Sequence, residues 1–247
     1  MSALPPGLAD SLRALAGRRP LLIASDYDGV LARLRDDPSD AVPEAGVAEV
    51  LARLSAADGV IVALVSGRGV ADLQSTSGLS GPFRWVGSHG AEFDGPLTGE
   101  LAGRRDDLAG RLAPLVAATE GARLEVKPAS VAVHVRQVAD RAAAAALLAD
   151  ARSRADSSLT LKPGKDVLEL AVTDADKGSA LRRLAAELGA VATLYLGDDL
   201  TDEDAFRALG ADDVTVKIGD GETAARHRVA DTAGAVALLE FLADLLA

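Results

Sequence analysis

Asp26-Tyr27-Asp28-Gly29 sets two carboxylates one residue apart, directly after the apolar run Leu21–Ser25. At i and i+2 of an extended chain, two side chains point the same way. Such a pair can divide a phosphoryl transfer between them. One carboxylate attacks phosphorus and becomes an aspartyl-phosphate, and the other protonates the leaving oxygen and then activates water. Asp-x-Asp-Gly alone reads equally well as a solvated acidic turn, with Gly29 allowing the tight bend. A second acidic run, Gly197-Asp198-Asp199-Leu200-Thr201-Asp202-Glu203-Asp204, follows the apolar stretch 194–196. Mg²⁺ takes hard oxygen ligands and keeps several waters, so a few clustered carboxylates suffice. Asp198 comes first after the apolar stretch and is the candidate ligand, whereas Asp202, Glu203 and Asp204 fit the start of a helix at least as well. Ser66-Gly67-Arg68 offers a hydroxyl and loop N–H groups for an anion, or an ordinary N-cap. Lys177 can neutralise phosphoryl oxygens and a nucleophile together, or sit solvated in a first helical turn.

These groups need a frame that brings them together. Short apolar runs of strand length end at Asp26, at Ser66, at Gly87-Ser88-His89-Gly90 and at Asp198, a strand pattern. Helical spacing lies between them: Val47, Val50, Leu51 and Leu54 after Pro43-Glu44, and Leu181, Leu184, Ala185 and Leu188 within Lys177–Leu188. The alternation predicts an α/β fold, a doubly wound parallel sheet covered on both faces. The site is then expected at the carboxyl ends of the strands, where the four polar loops meet. The segment 98–173 reads differently. Leu108, Leu112, Leu115 and Val116 mark a helix, and Arg123–Lys127, a Pro128-Ala129 turn and the period-two run 130–136 mark a hairpin. An alanine-rich helix at 142–151 and strand-like runs at 159–161 and 167–170 follow. This predicts an inserted α+β cap on a core of 1–97 and 174–247. Glu125 and Lys127 share one strand face, as do His134 and Arg136 on the next. A solvated hairpin with cross-strand charge pairing gives the same pattern.

The chain has 247 residues, 49% of them hydrophobic, enough for a sizeable core with or without an insert. A net charge of −11 speaks against a general nucleic-acid or membrane-surface binder. An anionic small molecule would need positive charge concentrated locally. The absence of cysteine excludes disulfides and thiolate metal sites, and three scattered histidines make no zinc pattern. No apolar run approaches the ~20 residues of a membrane span. Leu4, Leu8, Leu12 and Leu15, interrupted by Pro5 and Pro6, read as a short amphipathic helix and not a signal peptide. A cytoplasmic location is the default expectation.

Taken in order, the nucleophile loop, serine loop, lysine and acidic loop resemble the haloacid-dehalogenase (HAD) superfamily of phosphotransferases. The resemblance implies a HAD-like doubly wound core with Asp26 as nucleophile and Asp28 as general acid/base. Ser66 and Lys177 would hold the phosphate, and Mg²⁺ would sit on Asp26, the Asp28 carbonyl oxygen and Asp198. The superfamily's usual Asp-Gly-Thr is Asp28-Gly29-Val30 here, which removes a loop hydroxyl and no catalytic group. A longer set narrows the resemblance: the same loops with Gly87-Ser-His-Gly-Ala-Glu92, Glu125-Val-Lys127, His134-Val-Arg136, Gly164-Lys-Asp-Val-Leu-Glu169, Lys177-Gly178 and Gly197-Asp-Asp-Leu-Thr-Asp-Glu203. In family order these resemble trehalose-6-phosphate phosphatases across nearly the whole chain.

That family implies hydrolysis of trehalose 6-phosphate to trehalose and phosphate through an aspartyl-phosphate, with a cap that closes over the substrate. It assigns the grip on the disaccharide to Glu125, Lys127, Lys165 and Glu169. Paired Glu and Lys side chains suit sugar hydroxyls, each of which is donor and acceptor. Arg68, His89, Glu92, His134 and Arg136 are further candidate substrate-binding residues by their place in the same loops and hairpin. Many relatives carry Arg-Pro a residue after the glutamate, where this chain has Glu169-Leu170-Ala171-Val172. Three alternatives stand beside this reading. One is the same chemistry on another sugar or pseudo-disaccharide phosphate such as sucrose phosphate. The others are a receiver-type signalling module and an inactive sugar-phosphate sensor. Receiver modules are shorter and lack an inserted cap, and the complete acidic set speaks against a sensor.

Overall fold

In the computed structural model, which describes residues 4–247, the run Leu21–Ser25 forms strand β1 with every residue buried. Leu21 and Ile23 join one apolar cluster and Leu22 and Ala24 another. Burial on both faces is the mark of a central strand in a covered parallel sheet. After it come β2 (Val60–Val65), β3 (Arg84–Gly87) and β4 (Glu92–Phe93). Four strands follow in a separate sheet: β5 (Arg123–Lys127), β6 (Ser130–His134), β7 (Thr160–Gly164) and β8 (Val167–Ala171). The chain then completes the first sheet with β9 (Ala192–Gly197), β10 (Val214–Ile218) and β11 (His227–Val229). The helices are α1 (Pro6–Leu15), α2 (Val47–Ala56), α3 (Val70–Ser77), α4 (Gly99–Ala117), α5 (Arg141–Ser153), α6 (Lys177–Leu188), α7 (Asp202–Ala208) and α8 (Thr232–Leu246). No described helix is long and apolar enough to cross a membrane.

Contacts divide the chain into two units. One runs up to Gly95 and resumes over Ala175–Ala247, and the other is Pro96–Asp174. The first unit holds the seven-stranded sheet, in the order β11-β10-β9-β1-β2-β3-β4. All its pairings are parallel except β3 with β4. Leucines of α1, α2 and α8 pack in one cluster against one face, and Ala180, Leu181, Leu184, Ala205 and Phe206 of α6 and α7 pack against the other. Truncating one of these buried leucines, Leu12 for example, removes packing worth about 2–5 kcal/mol. Helix α2 starts at Val47, later than the Pro43-Glu44 signal suggests. Gly46 takes φ 89° ahead of it, a left-handed turn that does not continue a helix backwards.

The second unit holds an antiparallel sheet in the order β5-β6-β8-β7. Val131, Val133, Leu168 and Leu170 face a core shared with Leu108, Leu112 and Val116 of α4 and with Leu147 of α5. The alternate positions on the opposite face are mostly polar, the division expected of an antiparallel sheet with one packed side. Strand β6 stops at His134 and does not reach Arg136. There the Val135 N–H donates to the Asp166 carbonyl at 2.9 Å, and the chain turns at 136–137.

Candidate active site

Strands β9, β1 and β2 are neighbours in the sheet, so the residues that follow them, Asp198, Asp26 and Ser66, emerge side by side. Lys177 reaches them from α6. Asp176 caps that helix, its carboxylate accepting from the Ser179 N–H at 2.7 Å while the Ser179 hydroxyl accepts from the Asp176 N–H at 3.1 Å. This reciprocal cap fixes Lys177 as the first helical residue. Lys177 is only 1% exposed, not a solvated first-turn lysine. Its ammonium donates to Asp26 Oδ2 at 2.6 Å and to Asp202 Oδ1 at 2.8 Å. Burial pulls the lysine pKa down, but the Asp26 and Asp202 carboxylates outweigh it and the net shift is upward, so the ammonium stays charged. The other oxygen of Asp26 accepts from the Tyr27 N–H at 2.6 Å. Burial raises the Asp26 pKa above the ordinary carboxylate range, with the Lys177 charge pulling the other way.

Asp202 does more than begin a helix. It is 0% exposed, and its carboxylate takes four hydrogen bonds. Oδ1 accepts from Lys177 and from the Tyr195 hydroxyl at 2.6 Å, and Oδ2 accepts from the Asp198 and Asp199 N–H groups at 2.8 and 3.0 Å. Asp202 therefore holds the lysine and the acidic loop in one arrangement. Neither it nor Tyr195 stood out among the candidates, and Lys217 did not either. Lys217 is buried on β10 and donates to the Asp198 main-chain carbonyl. The available signal was a tyrosine and a lysine inside mostly apolar strands, because buried polar groups of this kind need a partner.

Two glycines make the approach possible. A Cβ on Gly29, where φ is 78°, would lie 2.0 Å from Asp198 Oδ2, so only glycine admits that carboxylate against the nucleophile loop. A Cβ on Gly178 would lie 2.4 Å from the Asp204 carbonyl oxygen, which lets α6 and α7 close up and bring Lys177 to Asp202. Asp198 has its pKa raised to about 6, first by burial and then by Asp202 and Asp199. Oxygens of Asp26, Asp198 and Asp202 all lie within 4.8 Å of one another. Asp202 is already saturated, which leaves Asp26 and Asp198 to face a ligand. An all-oxygen donor set with a surplus of carboxylate suits a hard divalent cation.

Arg68 is committed to Asp28. Its Nε donates to Oδ2 at 2.7 Å and its Nη2 to Oδ1 at 2.9 Å, while Nη1 reaches Asp72 at 3.1 Å. Ser88 and His89 both take positive φ, 50° and 57°, and the His89 N–H donates to the Ser66 carbonyl at 3.0 Å. Glu92 is buried and accepts from the Ser88 hydroxyl at 2.8 Å and the Val70 N–H at 3.1 Å, bracing this loop against the start of α3. The Ser66 oxygen accepts from the Arg68 N–H at 3.1 Å, which leaves its hydroxyl proton to offer. Asp26, Asp28, Ser66, Arg68, Lys177 and Asp198 line one cavity of about 490 Å³, and His89 lies on its wall.

In the second unit Glu169 accepts from Lys127 and from Ser130, each at 2.7 Å. Burial alone would raise its pKa, but these hydrogen bonds outweigh that and hold it low. His134 Nε2 lies 2.7 Å from Glu125, which also meets Arg123 at 3.2 Å. Arg136 and Lys165 fall in exposed turns, off the strands. The residue directly opposite Glu169 in the β7–β8 register is Lys162, which the sequence pattern did not single out.

A parallel sheet with an aspartate after its central strand, a serine after the next, a lysine from a following helix and an acidic loop is the arrangement of a HAD-like fold. One solved structure, a haloacid dehalogenase-like hydrolase from B. subtilis, shares this fold with a TM-score of 0.56 at 17% identity over 89% of this chain and 98% of that one. The family model described as trehalose-phosphatase matches residues 24–233. The chain is 37% identical to a trehalose-phosphate phosphatase of Mycolicibacterium paratuberculosis over 274 residues, covering 100% of this chain and 68% of that protein. It is 35% identical to a bifunctional trehalose-6-phosphate synthase/phosphatase of Thermoproteus tenax, covering 93% of this chain and 32% of that protein. The structure of Aspergillus fumigatus trehalose-6-phosphate phosphatase matches with a TM-score of 0.75 at 25% identity over 96% of this chain and 97% of that one. The chain belongs to the trehalose-phosphatase family, which sets the receiver-type reading aside.

Proposed function

We propose that the chain is a Mg²⁺-dependent phosphatase that hydrolyses trehalose 6-phosphate to trehalose and phosphate. The observation that carries this reading is the buried Asp26 carboxylate, paired with Lys177 at the end of a central strand and open to a cavity that also holds Asp28, Ser66 and Asp198. Family membership supports the choice of ester.

Asp26 attacks phosphorus in line. An Asp26–phosphorus bond forms, and the bond from phosphorus to the sugar oxygen breaks as protonated Asp28 gives that oxygen its proton. Water then attacks the aspartyl-phosphate while Asp28 takes its proton back, releasing phosphate and free Asp26. Lys177 and the Ser66 hydroxyl hold phosphoryl oxygens, and Asp202 keeps Lys177 aimed. Asp26, Asp198 and the Asp28 carbonyl would hold Mg²⁺, which would supply positive charge to the phosphoryl oxygens. Arg68 orients Asp28 through a two-point grip on its carboxylate, and must release one of the two oxygens for that oxygen to carry the proton. Glu125, Lys127, His134 and Glu169 offer sugar hydroxyls both donors and acceptors.

Phosphate release with Mg²⁺ across trehalose 6-phosphate, sucrose 6-phosphate, glucose 6-phosphate and p-nitrophenyl phosphate tests the proposal, with Asp26→Asn as control. Selective release from trehalose 6-phosphate, lost in the variant, is the expected result. Preference for another ester would retain the chemistry and discard the substrate, and an Asp26→Asn protein with full activity would remove the mechanism.

A further inference from the structure

The cavity wall carries five carboxylates and three basic side chains, Arg35, Arg68 and Lys177. Without an ion it thus has a formal excess of two negative charges, which Mg²⁺ on Asp26 and Asp198 would cancel, and a phosphate monoester then brings about −1.5 to −2 more at neutral pH. Two of the cations that could receive it are already shared with carboxylates. Lys177 is held by Asp26 and Asp202, and Arg68 by Asp28 and Asp72. Arg35 is exposed on the cavity wall and has no hydrogen bond or ion pair within the described residues.

Its segment is tethered. Arg33 pairs with Glu44 at 2.5 Å, the Tyr27 hydroxyl donates to the Ala41 carbonyl at 2.5 Å, and Arg68 Nη2 donates to the Pro38 carbonyl at 2.5 Å. The guanidinium that orients Asp28 therefore also ties down the loop bearing Arg35. We infer that Arg35 is a substrate-binding residue of this site, whose guanidinium takes phosphoryl oxygens of the incoming phosphate monoester. This rests on the phosphatase reading. A planar fork of donors suits two phosphoryl oxygens at once. In a chain of net charge −11, a local uncommitted cation also favours capture of a dianion.

The test compares wild type, Arg35→Gln and Arg35→Lys in Mg²⁺ buffer, with Arg53→Gln, exposed on α2 and outside the cavity lining, as a surface-charge control. It measures KM and kcat on trehalose 6-phosphate, and Kd for inorganic phosphate by calorimetry. Arg35→Gln should raise KM and the phosphate Kd about tenfold with kcat little changed, and Arg35→Lys should recover part of the loss. The gap should narrow between about 0.05 and 0.5 M NaCl as screening grows, and Arg53→Gln should behave as wild type. An Arg35→Gln protein with wild-type KM and phosphate Kd overturns the inference. If wild type does not hydrolyse trehalose 6-phosphate, the functional reading falls, and the phosphate titration still decides the role of Arg35.

Discussion

In the first unit the charges sit at the ends of buried apolar strands; in the second they cover one face of a sheet. Lys177, Asp26 and Asp202 are all at least 95% removed from solvent, whereas the Lys127–Glu169 pair has side chains 41% and 24% exposed. A charge buried among fixed partners has one arrangement available, which is what a reacting phosphoryl group requires. A half-exposed pair can exchange its partner for a sugar hydroxyl at small cost, because the net worth of such a pair is about 0–1 kcal/mol. The first arrangement suits chemistry and the second suits recognition. Substitutions in the two units should therefore differ in kind as well as in size.

The strongest case is Asp202→Asn. An amide keeps the shape but removes the charge that answers Lys177 and places an NH₂ where two of the four donors converge. Breaking a buried pair in this way costs about 3–5 kcal/mol of stability. Activity should fall about 10²–10³-fold on every ester alike, p-nitrophenyl phosphate included. Thermal melting and a two-substrate assay on one preparation check both parts. Loss confined to trehalose 6-phosphate would place Asp202 with the recognition residues instead.

This case also marks how far the sequence could be read. Asp26, Asp28, Ser66 and Asp198 were legible because each follows an apolar run, and strand–loop alternation alone puts such residues at one end of a parallel sheet. Lys177 was legible through its place between the serine loop and the acidic loop. The part played by Asp202 was not, because it depends on how α6 packs on α7 at Gly178, and on a tyrosine and a lysine whose polar ends turn inward. Arg68 and Glu92 lie in the loops where they were sought, but each is engaged with protein: Arg68 grips Asp28, and Glu92 braces Ser88 and Val70. In the second unit, period-two alternation found the β5–β6 hairpin. It could not find the turn that carries Arg136 off the strand, because a shift between strand and turn is a matter of backbone hydrogen bonds and leaves little trace in hydropathy.

Glu169→Gln should separate recognition from chemistry. It keeps the size and the acceptor oxygen but loses the charge that holds Lys127. KM for trehalose 6-phosphate should rise about tenfold, the loss of one charge-assisted contact, with turnover of p-nitrophenyl phosphate unchanged. Equal loss on both substrates would show that Glu169 supports the fold of the second unit and does not meet the sugar.

The smallest effects should be opposite in sign. Asp198 in the folded protein has a pKa of about 6, above its unfolded value. The folded state therefore binds the extra proton, and stability falls as pH rises from about 4 through 6. In EDTA at pH 7, Asp198→Asn removes a partly buried charge without a strong partner and should raise Tm by about 2–4 °C. Added Mg²⁺ should then stabilise wild type and leave the variant behind. Glu169 runs the other way. Its folded pKa is lowered by Lys127 and Ser130, so its contribution is present above the unfolded glutamate pKa of about 4.3 and is lost as pH falls through the folded value. Glu169→Gln should lower Tm at pH 7 by about 2 °C or less, since the pair is partly exposed, and the difference should vanish below about pH 3.5. Melting curves of the three proteins in EDTA at pH 3.5 and pH 7 decide the matter. Two shifts of the same sign at pH 7 would mean that the carboxylates of the two units answer to the same forces, and that the division between a buried centre and a half-exposed surface is wrong.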